Sequence, residues 1–213
     1  MKPDLTNASL YGILDLSYVA ASDIPRVARA MIDGGVDVIQ LRAKEKSTQE
    51  IARLAEQLHK ITSRFSIPLI VNDQAAVAAK VPLEGVHVGQ EDDSISTARE
   101  KAGREIIIGK STHSLEQAVA AEAEGADYIG FGPIFATPTK PDYKPIGLNN
   151  IQQVHEKVKL PIFCIGGIKL DNLEQVIGAG AQRVAIVSGL LKAPDLIEYA
   201  RRCKELMMSA QRL

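Results

Sequence analysis

Short runs of β-branched and other apolar residues alternate along this chain with longer stretches in which apolar residues recur every three or four positions. The short runs predict strands near Leu10–Leu14, Val36–Leu41, Pro68–Val71, Gly85–Val88, Ile106–Gly109, Tyr128–Phe131, Pro161–Ile165 and Arg183–Val187. A helical stretch follows each of them. The clearest carries Ile51, Leu54, Ala55, Leu58 and Ile61 as one apolar stripe. Ser47 before Glu50, Ser114 before Gln117 and Asp171 before Glu174 have the spacing of a capping box, in which a side chain satisfies the open N–H groups of a helix start. Pro194 opens the last predicted helix, which places Leu196, Ala200, Cys203 and Met207 on its apolar face and Arg201 and Arg202 on a solvated one. Eight such units predict a parallel sheet closed into a (β/α)8 TIM barrel, with residues 1–213 as one domain; an open doubly wound sheet is the alternative.

A barrel builds its chemistry from the carboxyl ends of its strands, and polar residues gather there. Gln40, Arg42 and Lys44 alternate at the end of the second strand, so an amide and two cations share one face while Leu41 and Ala43 take the other. That pattern suits an anion, and on its own it suits a solvated strand end equally well. Asn72 and Asp73 follow the third strand; His87, Gln90, Glu91 and Asp92 lie at the fourth; Lys110, Ser111 and His113 lie at the fifth. The sixth is followed by a long proline-rich connection, residues 132–147, with Thr137, Thr139 and Lys140, which would serve as a partial lid. Gly166, Gly167, Ser188 and Gly189 sit after the last two strands, where barrels commonly hold a phosphate monoester, so a phosphorylated small molecule is the expected ligand, with tight packing of turn glycines as the alternative. Asp73 and Asp92 follow neighbouring strands and offer hard oxygen donors of the kind Mg²⁺ takes, although each also fits a helix cap or an ion pair.

Composition narrows the partners. The 213 residues are 46% hydrophobic and 24% charged, enough for a full core, and the formal net charge of -1 gives no reason to expect nucleic acid or an anionic membrane. No stretch has the length of a membrane span or a signal-peptide core, and the two cysteines read as reduced thiols, so a cytoplasmic location is expected. A homo-oligomer is allowed by the sequence but not dictated by it.

The segments Gln40-Leu41-Arg42-Ala43-Lys44, Val71-Asn72-Asp73, Val86 through Asp92, Gly109 through His113, Gly130 through Lys140, Ile165 through Ile168 and Val187-Ser188 resemble, in order and over nearly the whole chain, the motifs of the thiamine phosphate synthase family. The resemblance implies a TIM-barrel transferase that joins hydroxymethylpyrimidine diphosphate to thiazole phosphate and releases diphosphate with the help of Mg²⁺. It assigns Gln40, Leu41, Arg42, Ala43, Lys44, Asn72, Ser111 and Lys140 to the pyrimidine diphosphate, with Arg42, Lys44, Ser111 and Lys140 as catalytic groups. It gives Thr137, Pro138, Thr139, Gly167, Val187 and Ser188 to the thiazole phosphate, and Asp73 and Asp92 to Mg²⁺. The mechanism implied is dissociative and needs no protein nucleophile. Around Ser111-Thr112-His113-Ser114 the chain is also similar to thiazole tautomerase, which would use His113 as an acid/base catalyst. A non-catalytic phosphate-binding barrel is a third reading, and His87 reads as a core or supporting histidine.

Overall fold

In the computed structural model, which describes residues 2–103, 105–137 and 143–210, strict alternation along each strand separates two apolar layers. On β1 (Leu10–Asp15), Leu10 and Leu14 face the helices while Tyr11 and Ile13 face inward. The same parity holds on β2 (Val38–Arg42), β3 (Leu69–Asn72), β4 (Gly85–Val88), β5 (Ile107–Thr112), β6 (Tyr128–Phe131), β7 (Ile162–Ile165) and β8 (Val184–Ile186). All eight pair in parallel and in chain order, and β8 returns to β1, so the barrel is closed and has no open edge.

The helices form the outer ring: α1 (Ile24–Asp33), α2 (Thr48–Thr62), α3 (Ala75–Ala78), α4 (Ile95–Ala102), α5 (Leu115–Ala123), α6 (Ile151–Lys157), α7 (Leu173–Gly178), α8 (Ser188–Leu191) and α9 (Leu196–Ala210). No helix among the described residues is long and apolar enough to cross a membrane. The predicted caps divide three ways. Ser47 and Glu50 form the complete box at the start of α2, each side chain accepting the other's backbone N–H. Ser114 accepts the Gln117 N–H at 3.2 Å, but the Gln117 carboxamide turns to the N–H of His113. Asp171 and Glu174 form no box, because the N-cap of α7 is Asn172, whose carboxamide ties back to the Lys169 N–H. Pro194 likewise lies outside α9, which starts two residues later with Asp195 accepting the Glu198 N–H.

Inside the barrel, Phe163 packs edge-on against Tyr11 and Tyr128 at ring-centre distances of 5.1 and 5.7 Å, which closes the floor. Gly109 makes room for this cluster: a Cβ there would stand 2.1 Å from the Tyr128 ring and 2.5 Å from His87. A glycine inside a strand marks such close approach.

Candidate active site at the carboxyl rim

Register decides which side chains meet above that floor. Pairing of β1 with β2 sets Asp15 beside Arg42 at the carboxyl end, and the Arg42 guanidinium donates to the Asp15 carboxylate at 2.5 Å. The Asp15 side chain is 1% exposed and that of Arg42 12%, so the pair is shielded from water on most sides. The other Asp15 oxygen accepts the Ser17 N–H, which fixes the carboxylate before any ligand arrives. Gln40, one inward position below Arg42, donates to the Tyr11 hydroxyl at 2.8 Å.

Gln40, Arg42, Asn72, Ser111, Thr137, Gly167, Val187 and Ser188 line one cavity, whose lower wall is Tyr11, Ile13, Phe163, Ile165 and Ala185. Leu41 and Ala43 are buried in the layer facing the helices. Lys44 borders a second depression that shares Arg42 with the first, and its ammonium stands 3.8 Å from Asp73. The predicted residues Pro138, Thr139 and Lys140 lie outside the described residues.

The two carboxylates proposed for metal sit on neighbouring strand ends. Asp73 adopts φ 62°, and its N–H donates to the His87 carbonyl across the β3–β4 pair. Asp92 accepts the Gly89 N–H at 2.7 Å, and the Gly89 carbonyl in turn accepts from the buried Lys110 ammonium. Gln74 and Ser94 hold the N-cap positions of α3 and α4, so the cap alternatives name the wrong residues. The ion-pair alternative holds for Asp73 with Lys44. No group of three or more His, Cys, Asp or Glu converges for a metal among the described residues. Two hard carboxylates without soft ligands fit Mg²⁺, which takes one or two protein carboxylates and completes its shell with water and substrate phosphate.

The structure extends one predicted strand and gives Gly166, Gly167 and His113 partners in the loop after β6. Strand β5 runs to Thr112, so Ser111 is an inward strand residue, and Lys110 faces outward. Gly166 and Gly167, at φ 98° and 66°, give passage to the loop after β6, since a Cβ at either would come within 2.7 Å of Pro133 or Ala136. His113 donates from Nδ1 to the Gly132 carbonyl at 2.5 Å and lies 4.5 Å ring to ring from Tyr143, so it ties down both described ends of the connection after β6.

Sequence reasoning missed Asp15, Tyr11 and Tyr128. Tyr11, Ile13 and Asp15 do alternate with outward residues, so the period-2 pattern of β1 carried their inward direction, but their partners depend on pairing across β1, β2 and β6. His87 was read as a supporting residue, and its ring does bridge Tyr128 and Ser111 at 3.0 and 2.9 Å. Burial pushes the Tyr11 and Tyr128 hydroxyls well above the ordinary phenol range, so both keep their protons.

The sequence model of the family described as thiamine monophosphate synthase matches residues 10–190. The chain is 44% identical over 188 residues to the thiamine-phosphate synthase of Halalkalibacterium halodurans, covering 88% of this chain and 89% of that one. It is 41% identical over 203 residues to the thiamine-phosphate synthase of Chloroflexus aurantiacus, covering 95% and 94%. Among solved structures, thiamine phosphate pyrophosphorylase from Pyrococcus furiosus superposes with a TM-score of 0.86 at 33% identity, over 95% of this chain and 96% of that one.

Proposed function

The chain belongs to the thiamine monophosphate synthase family, and from that premise we propose that its rim cavity joins hydroxymethylpyrimidine diphosphate to thiazole phosphate, giving thiamine phosphate and diphosphate. The observation that carries this reading is the meeting, in one cavity, of Gln40, Arg42, Asn72 and Ser111 with Thr137, Gly167, Val187 and Ser188. The first set is proposed for the pyrimidine diphosphate and the second for the thiazole phosphate, so both substrates would lie within reach of each other.

The C–O bond to diphosphate breaks and leaves a pyrimidinylmethyl cation; the thiazole nitrogen then supplies the electron pair for the new C–N bond. The residues must stabilise a departing anion and keep water from the cation. A unit charge about 4 Å away at an effective dielectric near 20 contributes about 4 kcal/mol, so Arg42 and Lys44 can supply a large part of the barrier reduction. Asp15 uses only part of the guanidinium fork, leaving other N–H groups for phosphate oxygens. Lys140 would add a third cation. Leu41 and Ala43, buried toward the helices, would reach the ligand only through their main chain. Ile13, Phe163, Ile165 and Ala185 form an apolar wall that offers the cation no competing nucleophile. Asp73 and Asp92 would hold Mg²⁺, which when bound supplies positive charge to the diphosphate. Because the Gly132 carbonyl takes the His113 Nδ1 proton, the isomerase reading would place the acid/base role on Nε2, and the assay below separates it from coupling.

Incubating purified protein with both substrates and Mg²⁺ should yield thiamine phosphate and diphosphate in equal amounts. Isomerisation of the thiazole phosphate without any coupling, with the pyrimidine present or withheld, would instead assign the isomerase.

A further inference from the structure

Five inward side chains on five strands form one continuous hydrogen-bonded path across the barrel: Gln40 to Tyr11 at 2.8 Å, Tyr11 to Tyr128 at 3.0 Å, Tyr128 to His87 Nδ1 at 3.0 Å, and His87 Nε2 to Ser111 at 2.9 Å. Tyr11, Tyr128 and Gln40 are almost wholly buried, so an unplaced proton at any of them would be costly. Proton counting then fixes the direction of every link. The Gln40 amide nitrogen can only donate, so the Tyr11 oxygen accepts from it. The Tyr11 proton must go to Tyr128, its other partner among the described residues. The Tyr128 proton must go to His87 Nδ1. A neutral imidazole that accepts at Nδ1 carries its proton on Nε2, which donates to the Ser111 oxygen.

We infer that this ordered chain makes Ser111 a hydrogen-bond donor into the cavity, with Tyr11, Tyr128 and His87 as positioning residues that hold its hydroxyl hydrogen toward a phosphate oxygen of the bound diphosphate. The proton order follows from the Gln40 amide nitrogen facing Tyr11 and a neutral His87; what Ser111 faces rests on the proposed reaction. A donor there strengthens as the leaving diphosphate gains charge, and no donor–acceptor reversal is needed during the reaction. Gly109 is part of the device, since any side chain at that position would occupy the junction of Tyr128 with His87.

The direct test is ¹⁵N NMR of the full chain labelled at its four histidines, with His87 assigned by His87→Gln. The expected spectrum shows a protonated Nε2 and an unprotonated Nδ1. The reverse tautomer, which would require Gln40 to present its carbonyl to Tyr11, overturns the inference, as does a mixture of tautomers or an imidazolium. A kinetic arm asks what the order does. Tyr128→Phe should lower kcat about tenfold, the size of one hydrogen bond, with the KM for thiazole phosphate unchanged within about twofold. Tyr128→Phe combined with Ser111→Ala should be no slower than Ser111→Ala alone, because both act through one hydroxyl. Fully multiplicative losses, or an unchanged kcat in Tyr128→Phe, would overturn the positioning role. If the parent protein makes no thiamine phosphate, the reaction proposed above fails while the NMR result still decides the proton order.

Discussion

Asp15 and Arg42 face each other at the carboxyl end of neighbouring strands, and the aspartate is the more deeply buried of the two. Removing one partner of a buried pair leaves the other charge uncompensated, typically at about 3–5 kcal/mol. Arg42 borders the cavity and retains some contact with water, so Asp15→Ala should cost about 2–3 kcal/mol, read as a melting temperature roughly 5–10 °C lower for a chain of this size. The same variant should raise the KM for the pyrimidine diphosphate, since the guanidinium loses its anchor. A melting temperature unchanged by Asp15→Ala would mean that Arg42 does not depend on that carboxylate. At this scale the sequence was legible only in part. Alternation at Gln40, Leu41, Arg42 showed which side chains point inward, because the period of a strand is intrinsic to its backbone. Asp15 was invisible as Arg42's partner because the contact is created by register between strands far apart in the chain. The path from Gln40 to Ser111 was hidden for the same reason, since it visits five strands.

Helix α2 shows what a local signal can specify. Ser47 and Glu50 are three residues apart, and the box they predict forms because every partner lies within one turn. The backbone hydrogen bond from Ser47, followed by its hydroxyl and the Lys46 ammonium, holds the Glu50 carboxyl down at about 2. A carboxylate whose pKa is lower in the folded chain stabilises fully above its unfolded value near 4.5 and loses that contribution as pH falls toward 2. Thermal unfolding of the parent and of Glu50→Gln should therefore differ most above about pH 5 and converge near pH 2; a pH-independent difference would contradict the assignment. Where tertiary contacts compete, the local signal is overridden. Gln117 gives its carboxamide to His113, and Asn172 displaces Asp171 at the start of α7. Strand boundaries shifted for a related reason: β5 extends through Lys110 and Ser111 because pairing with β4 and β6 continues there, although the apolar run stops at Gly109.

The closed barrel gathers these elements so that one rim carries Arg42, Lys44, Asp73, Asp92 and Ser111. The count of eight alternating units made that closure readable in advance, whereas which carboxylates pair with cations was not, because Asp73 serves Lys44 while Asp15 serves Arg42. If Asp73 and Asp92 share a Mg²⁺ ion, chelator should abolish turnover in the parent. Loss of an outer-shell partner alone costs ~10–100-fold in metal affinity, so Asp73→Ala or Asp92→Ala should raise the half-saturating Mg²⁺ concentration at least roughly tenfold. Turnover that persists in excess chelator would remove the metal from the account. Burial pushes the Cys164 and Cys203 thiols up to about 12, so neither should react with a thiol reagent at pH 8 until the barrel opens, and both should react in denaturant. Whether the rim cations grip the departing diphosphate, as proposed, is tested most directly by single-turnover measurement of Lys44→Ala with both substrates and Mg²⁺ saturating. The account predicts a product-forming rate at least ~100-fold below the parent's, with thiazole phosphate affinity unchanged within about twofold. Equal losses in rate and in thiazole phosphate affinity would contradict it.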